Sequence, residues 1–251
     1  KGAVKERFDA TKTRANPHAH GTGMAGAIAA KARLLGVAPG ANILAIKAFG
    51  ENNASAEATS FQILQGLDYA MRRGVRVINM SFAGPYDVMM ERKLREAYEA
   101  GIVLIAAAGN AGPKSPPLYP AADPNVIAVT ATDASDKPFD MANRGKHIAV
   151  AAPGVDILAP APRGEYQLTT GTSVAAAHVS GVVALLLEKR PGLTPDDVRA
   201  ILTGSARPIM PDDKANQTGA GLVDPVQALA YDPAQADAPQ EASTGAQQVR
   251  N

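Results

Sequence analysis

Gly171-Thr172-Ser173-Val174-Ala175-Ala176-Ala177-His178-Val179-Ser180-Gly181-Val182-Val183-Ala184-Leu185-Leu186-Leu187 reads as a tight turn that delivers one serine to the start of a helix. The helix is apolar nearly all round, so it belongs inside a protein and not on its surface. Thr172 or Ser173 can cap its first turn, where backbone N–H groups lack intrahelical partners. A hydroxyl there also stands at the positive end of the helix dipole, which favours developing negative charge. Taken alone this is a capped core helix, because capping serines far outnumber catalytic ones.

Upstream, apolar strands alternate with helices. Strand patterns occur at Val4 to Phe8, Asn42 to Phe49, Val75 to Ser81, Ile102 to Ala108, Asn125 to Thr132 and His147 to Gly154. Helical patterns occur from His20 toward Leu35, at Thr59 to Arg73 and at Val88 to Ala100; glycines Gly74 and Gly101 stop the last two. Beyond the serine helix, which Pro191 ends, Thr194-Pro195-Asp196-Asp197 opens another helix with a cap, a proline and two acids. Strands apolar on both faces and interleaved with helices predict an α/β fold: a doubly wound, mainly parallel sheet with helices on both faces. Residues 1–231 read as one domain and residues 232–251, rich in Ala, Pro and Gln, as a disordered tail or linker.

The composition excludes several classes. Of 251 residues 46% are hydrophobic, enough for a large core, and the net charge of +1 points to neither nucleic acid nor an anionic membrane. There is no cysteine, hence no disulfide framework and no thiolate metal site. No uninterrupted apolar run reaches membrane-spanning length.

In a parallel sheet, function gathers at the carboxyl ends of the strands. Ser81, Asn110 and Ser173 fall in such loops, and His20 sits at a helix start that can reach the same rim. An imidazole there could activate a serine, and an amide presented by Gly109-Asn110-Ala111-Gly112 could donate to an oxyanion. Each has a plainer reading: a surface loop histidine, and a turn-forming asparagine. His18 and His20 form an H-x-H pair, yet no nearby carboxylate cluster completes a metal site, so none is assigned. Gly21-Thr22-Gly23-Met24-Ala25-Gly26 fits the letters of a dinucleotide fingerprint, but no strand leads directly into it.

Several of these pieces, in this order, resemble the subtilisin family of serine peptidases. His20-Gly21-Thr22-Gly23-Met24-Ala25-Gly26 is similar to the segment around that family's catalytic histidine, and Gly171-Thr172-Ser173-Val174-Ala175-Ala176 to the segment around its nucleophile. Ala106-Ala107-Ala108-Gly109-Asn110 resembles the segment with the oxyanion asparagine, and Gly36-Val37-Ala38-Pro39 and Asn79-Met80-Ser81 resemble linking segments. The resemblance implies that Ser173 attacks a peptide carbonyl, His20 shuttles the proton, and Asn110 with the Ser173 N–H holds the oxyanion. It implies that Ser81, Phe82 and Ala83 pair with the backbone of a polypeptide substrate. Ala107, Ala108, Gly109 and Leu118 would wall the pocket for the residue before the cut, and Ile63 and Phe82 would line a further apolar pocket. Leu118 stands where glycine is frequent, which implies a shallow pocket for small or medium apolar residues. Tyr119-Pro120 matches a position where the peptide bond is often cis. Export from the cytoplasm is implied by the resemblance alone.

The departures carry as much weight. The family's aspartate lies in a D-[ST]-G motif at the end of a strand well before the histidine, and no such motif lies between Lys1 and Ala19. Asp9 lacks the glycine turn and reads as a strand-end or loop aspartate. The expectation is therefore a C-terminal part of a longer protein, with the aspartate supplied by an associated N-terminal fragment carrying a central strand. Gly23 and Ala177 replace a usual histidine and proline, and neither removes a catalytic group. Lys31 to Leu35 is shorter than the family's calcium loop, which implies no strong calcium site and leaves a weak one open. No other cofactor is expected. The competing reading is a non-catalytic protein that binds peptides through the same cleft.

Overall fold

The computed structural model describes residues 3–12, 17–52, 55–210 and 217–232. The expected tail, apart from its first residue, lies outside these. The elements are β1 (Val4–Asp9), α1 (Ala19–Ala29), β2 (Ile43–Lys47), β3 (Gly50–Asn52), β4 (Ser55–Glu57), α2 (Ser60–Arg72), β5 (Val77–Met80), α3 (Val88–Glu99), β6 (Val103–Ala107), β7 (Val126–Thr132), β8 (Ile148–Pro153), β9 (Ile157–Pro160), β10 (Tyr166–Thr169), α4 (Thr172–Lys189), α5 (Pro195–Gly204) and α6 (Pro225–Ala230).

The predicted α/β architecture is present, with two features that periodicity did not show. First, short hairpins occur at β3–β4 and β9–β10, where strands of three or four residues are too brief for an alternation to register. Second, the parallel strands form two sheets. One has the order β5-β6-β7-β8; the other is the pair β1-β2, with Asp9 level with Lys47.

The larger sheet holds the core. Every residue of β6 and β7 is buried, as continuous Val, Ile and Ala runs require when helices cover both faces. On one face α4 lays Ala175, Val179, Val182, Val183 and Leu186 against Val103, Ile105, Val129 and Val150. On the other, α3 contributes Met90, Leu94 and Ala97 to a cluster with Leu104, Val126 and Ala128. α4 is long and apolar enough to cross a membrane by length and composition, yet 67% of it is buried inside the fold, as expected of a core helix.

Helices also span the break between the sheets. An added Cβ on Gly66 of α2 would lie 2.8 Å from Ile46 of β2, while neighbouring Leu67 packs in the cluster of Met80 and Ile78 of β5. Just beyond β2 and β5 the rings of Phe49 and Phe82 stand 5.3 Å apart. Across this break no backbone hydrogen bond joins β2 to β5 among the described residues. The residues of β2 are all only partly buried, unlike those of β6 and β7.

Two of the three glycines of the apparent dinucleotide fingerprint, Gly23 and Gly26, have a packing role instead. A Cβ on Gly26 would fall 2.4 Å from Pro160 Cδ, and one on Gly23 would fall 3.0 Å from the Gln167 amide nitrogen. Both let α1 lie close against the β9–β10 hairpin. α1 itself ends at Ala29, sooner than the pattern suggested, because Lys31 to Leu35 closes on itself in a short bridge.

Candidate active site

The N-terminus of α4 is built differently from the capped turn that its sequence suggests. Its N-cap is Gly171, with φ 148°, and no side chain caps it. The Asn110 side chain supplies the missing acceptor: its Oδ1 accepts from the Thr172 N–H and from Thr172 Oγ1, both at 3.0 Å. Thr172 Oγ1 in turn accepts from the Gly109 N–H at 3.1 Å. With Oδ1 so held, the amide orientation is set, and Asn110 Nδ2 lies against Gly171, where an added Cβ would fall 2.9 Å from it. Neither Nδ2 nor the Ser173 N–H has an acceptor among the described residues. Two free donors beside a serine hydroxyl, at the positive end of an 18-residue helix, suit a developing oxyanion.

Ser173 is held from the other side by β5. Ser81 Oγ donates to the Ser173 carbonyl oxygen at 2.9 Å, and Asn79 Nδ2 donates to Ser81 Oγ at 2.9 Å. Ser180, two turns along α4, reaches Asn79 Oδ1 at 3.0 Å. The Ser173 hydroxyl points at the Ser81 carbonyl, but at 3.4 Å the bond is long and weak.

His20 belongs to α1, where His18 is the N-cap and its Nδ1 accepts from the His20 N–H at 3.1 Å. That cap gives His18 a local duty; no group of three His, Cys, Asp or Glu that could hold a metal occurs among the described residues. Met24 and Ala27 of α1 pack on Val174 and Ala177 of α4. Val37 N donates to Ala27 O at 3.0 Å, and Val37 also fills the notch at Gly181, where a Cβ would lie 2.6 Å away. Gln167, just before α4, donates to Ala19 O at 2.8 Å. These contacts set the two helices side by side with their N-termini at the same end. His20 is the second residue of α1 and Ser173 the second of α4, so both stand at that end. The His20 ring makes no hydrogen bond to Ser173 or to a carboxylate among the described residues. Desolvation of the ring, then the neighbouring His18, lower its pKa below the ordinary histidine value, which favours the neutral base.

The remaining predicted residues fall around this point. Residues 81–83 leave β5 with their backbone outside any sheet, until Gly84 and Tyr119 exchange hydrogen bonds at 2.8 and 2.9 Å. Ala107 ends β6, followed by Ala108 and Gly109, and Leu118 lies against Gly109, where an added Cβ would come 3.2 Å from Leu118 Cδ1. Ile63 and Phe82 pack on one apolar cluster. The Tyr119–Pro120 peptide bond is cis. His178 is a structural residue: its Nδ1 lies 2.9 Å from Pro153 O. Asp9 is turned to its own loop, accepting from Thr11 N and Oγ1 at 2.8 and 2.6 Å, with Lys47 Nζ 3.9 Å away. Sequence reasoning missed the part played by Thr172, which looked like a cap, and by Asn79 and Ser180. Thr172 and Ser180 are buried hydroxyls and Asn79 a partly buried amide, and only the fold brings them together.

Comparison with known proteins identifies the family and the fold. Residues 3–228 match the subtilase family, Peptidase_S8. Subtilisin DY from Bacillus licheniformis is 38% identical over 194 residues, 74% of this chain and 70% of that protein. Subtilisin Savinase from Lederbergia lenta is 35% identical over 208 residues, 81% of this chain and 75% of its own length. Among solved structures, fervidolysin from Fervidobacterium pennivorans, a keratinolytic enzyme related to subtilisin, superposes with a TM-score of 0.78 at 32% identity over 86% of this chain and 36% of that one. The prenylagaramide maturation protease PagA does so with a TM-score of 0.79 at 30% identity, over 90% and 85%. With a family match over residues 3–228 and relatives of this kind, the chain belongs to the subtilase family of serine peptidases.

Proposed function

We propose that the chain cleaves polypeptides as an endopeptidase with Ser173 as nucleophile and His20 as general base. Ser173 Oγ adds to the scissile carbonyl carbon as its proton passes to the His20 imidazole. The carbonyl oxygen becomes an oxyanion beside Asn110 Nδ2 and the Ser173 N–H. Collapse breaks the C–N bond, and the imidazolium returns the proton to the departing amine. Water, deprotonated by the same imidazole, then releases the acyl group and restores the serine. The observation that carries the reading is the pinning of Asn110 Oδ1 by Thr172, which leaves two donors free beside one hydroxyl. The steps use side chains and one backbone N–H, so a chelator should leave turnover unchanged.

The aspartate that holds the imidazole in such sites is assigned to a strand outside this chain, between β2 and β5. Support comes from the sheet. Both strands have an edge without backbone partners among the described residues, and helices cover the break on each face. Neighbouring strands lie about 4.8 Å apart, so one strand fits a break of about 9.5 Å. Buried edge groups left unpaired cost about 1–3 kcal/mol each. Leu118 against Gly109 makes the first pocket shallow and suits small or medium apolar side chains. Export from the cytoplasm is the location in keeping with its subtilisin relatives, and fractionation of the producing cells tests it.

A serine-directed fluorophosphonate tests the reading. The expected result is one adduct, on Ser173, absent from Ser173→Ala, together with hydrolysis of a peptide substrate. Peptide binding with no adduct and no hydrolysis would convert the protein into a non-catalytic binder. Intact mass under native and denaturing conditions tests for an associated N-terminal fragment.

A further inference from the structure

Asn143 belongs to no motif and lies outside the steps above, yet the backbone on either side of Asn110 is fastened to it. It is fully buried. Its N–H donates to Gly109 O at 3.0 Å, and its Oδ1 accepts from the Ala111 N–H at 2.9 Å. The side-chain amide lies directly under Gly109, where a Cβ would fall 2.8 Å from Asn143 Nδ2 and 3.1 Å from Cγ. Gly109 has φ 107°, a conformation that suits glycine and no β-carbon. Nδ2 donates to Ser115 Oγ at 3.3 Å. The next link follows the same pattern, with the Gly112 N–H donating to Met141 O at 2.9 Å.

Thr172 thus grips the Asn110 side chain at its oxygen, and Asn143 grips the main chain that carries it. We propose that Asn143 is a positioning residue that sets the direction of the Asn110 Nδ2 donor through Gly109 and Ala111. The inference rests on the peptidase reading. An apolar side chain could fill the space but could not accept from Ala111, leaving a buried N–H unpaired. The loop would shift to recover a partner and carry Nδ2 with it. A displacement of about 1 Å in a site of this kind can cost about 10² in rate.

The test measures kcat and KM on a chromogenic peptide for the unsubstituted chain, Asn143→Ala, Asn110→Ala and the double variant, with the thermal midpoint of each. Asn143→Ala should lower kcat about 10- to 100-fold with KM within about twofold, because the lost contact acts only as the oxyanion forms. In the Asn110→Ala background the further loss should be under about threefold, since the group being positioned is gone. A loss of full size in that background, or a loss in KM alone, would overturn the proposal. Asn143→Asp keeps the shape and the acceptor for Ala111 and serves if Asn143→Ala does not fold. It should retain kcat within about fivefold, and a loss as large as that of Asn110→Ala contradicts the inference. An unsubstituted chain no more active than Ser173→Ala sinks the peptidase reading and this inference with it. An active one indifferent to Asn143→Ala sinks the inference alone.

Discussion

On the Ser173 side of the cleft the nucleophile's surroundings are fastened: Ser81 holds its carbonyl, and Asn110 and Thr172 hold one another. On the His20 side the imidazole makes no hydrogen bond among the described residues; only its backbone N–H is bonded, to His18. The contrast follows the sheet. Ser81 and Asn110 extend from β5 and β6, in the four-stranded sheet whose strands β6 and β7 are wholly buried. α1, which carries His20, touches β2 across the break. A serine and its oxyanion donors can be prepared by one intact sheet. Orientation of the imidazole needs a third group, and on our account that group arrives with the strand that fills the break.

The largest effects should come from the two reacting groups. With the aspartate strand supplied, Ser173→Ala should lower turnover by about 10⁶, the scale known for subtilisin itself, and by only about 10² in this chain alone. His20→Ala, measured with the same peptide, should cost less than Ser173→Ala in this chain if the imidazole is poorly oriented, and as much once the strand is supplied. Next comes the prepared side. Asn110→Ala should lower kcat about 10²- to 10³-fold with little change in KM, again the range set by a subtilisin. An unchanged kcat would mean that Asn110 Nδ2 does not face the oxyanion.

A smaller effect sharpens the His20 side. A base works only when unprotonated, so kcat/KM should rise with pH through the His20 pKa, which lies below the ordinary value of about 6.5. Desolvation comes first among the causes and His18 second. His18→Asn keeps a capping side chain and removes the second charge, so the acid limb should move to higher pH. A limb that stays in place would show that His18 does not act on the base. Smallest is a change of preference. Leu118→Gly should deepen the first pocket and shift cleavage toward large aromatic residues by about 10- to 100-fold relative to small ones. A parent chain that already favours aromatics would break the assignment of Leu118.

How much of this the sequence disclosed depended on how locally each feature is encoded. The buried strands were legible because Val103 to Ala107 and Val126 to Thr132 are apolar without interruption. The α4 core helix was legible for the same reason. His20, Asn110 and Ser173 were proposed from short glycine-containing motifs. Thr172 was misread as a cap because Asn110, distant in sequence, takes over that duty at the helix start. Asn143 left no local trace: its value lies in contacts to Gly109 and Ala111. The β9–β10 hairpin was overlooked, and with it the reason that Gly23 and Gly26 must be small.

The central claim is that one parallel strand, bearing a carboxylate at its end, completes both the sheet and the site. Its most direct measurement fuses a short apolar strand ending in Asp-Ser-Gly ahead of residue 3 through a flexible linker, beside a twin ending in Asn-Ser-Gly. Fluorophosphonate labelling of Ser173 and the thermal midpoint are then followed. Both fusions should stabilise the protein, and only the aspartate form should speed labelling, by about 10⁴ as the inverse of the loss known when subtilisin gives up its aspartate. Equal labelling of the two, or no gain in stability from either, would contradict the account.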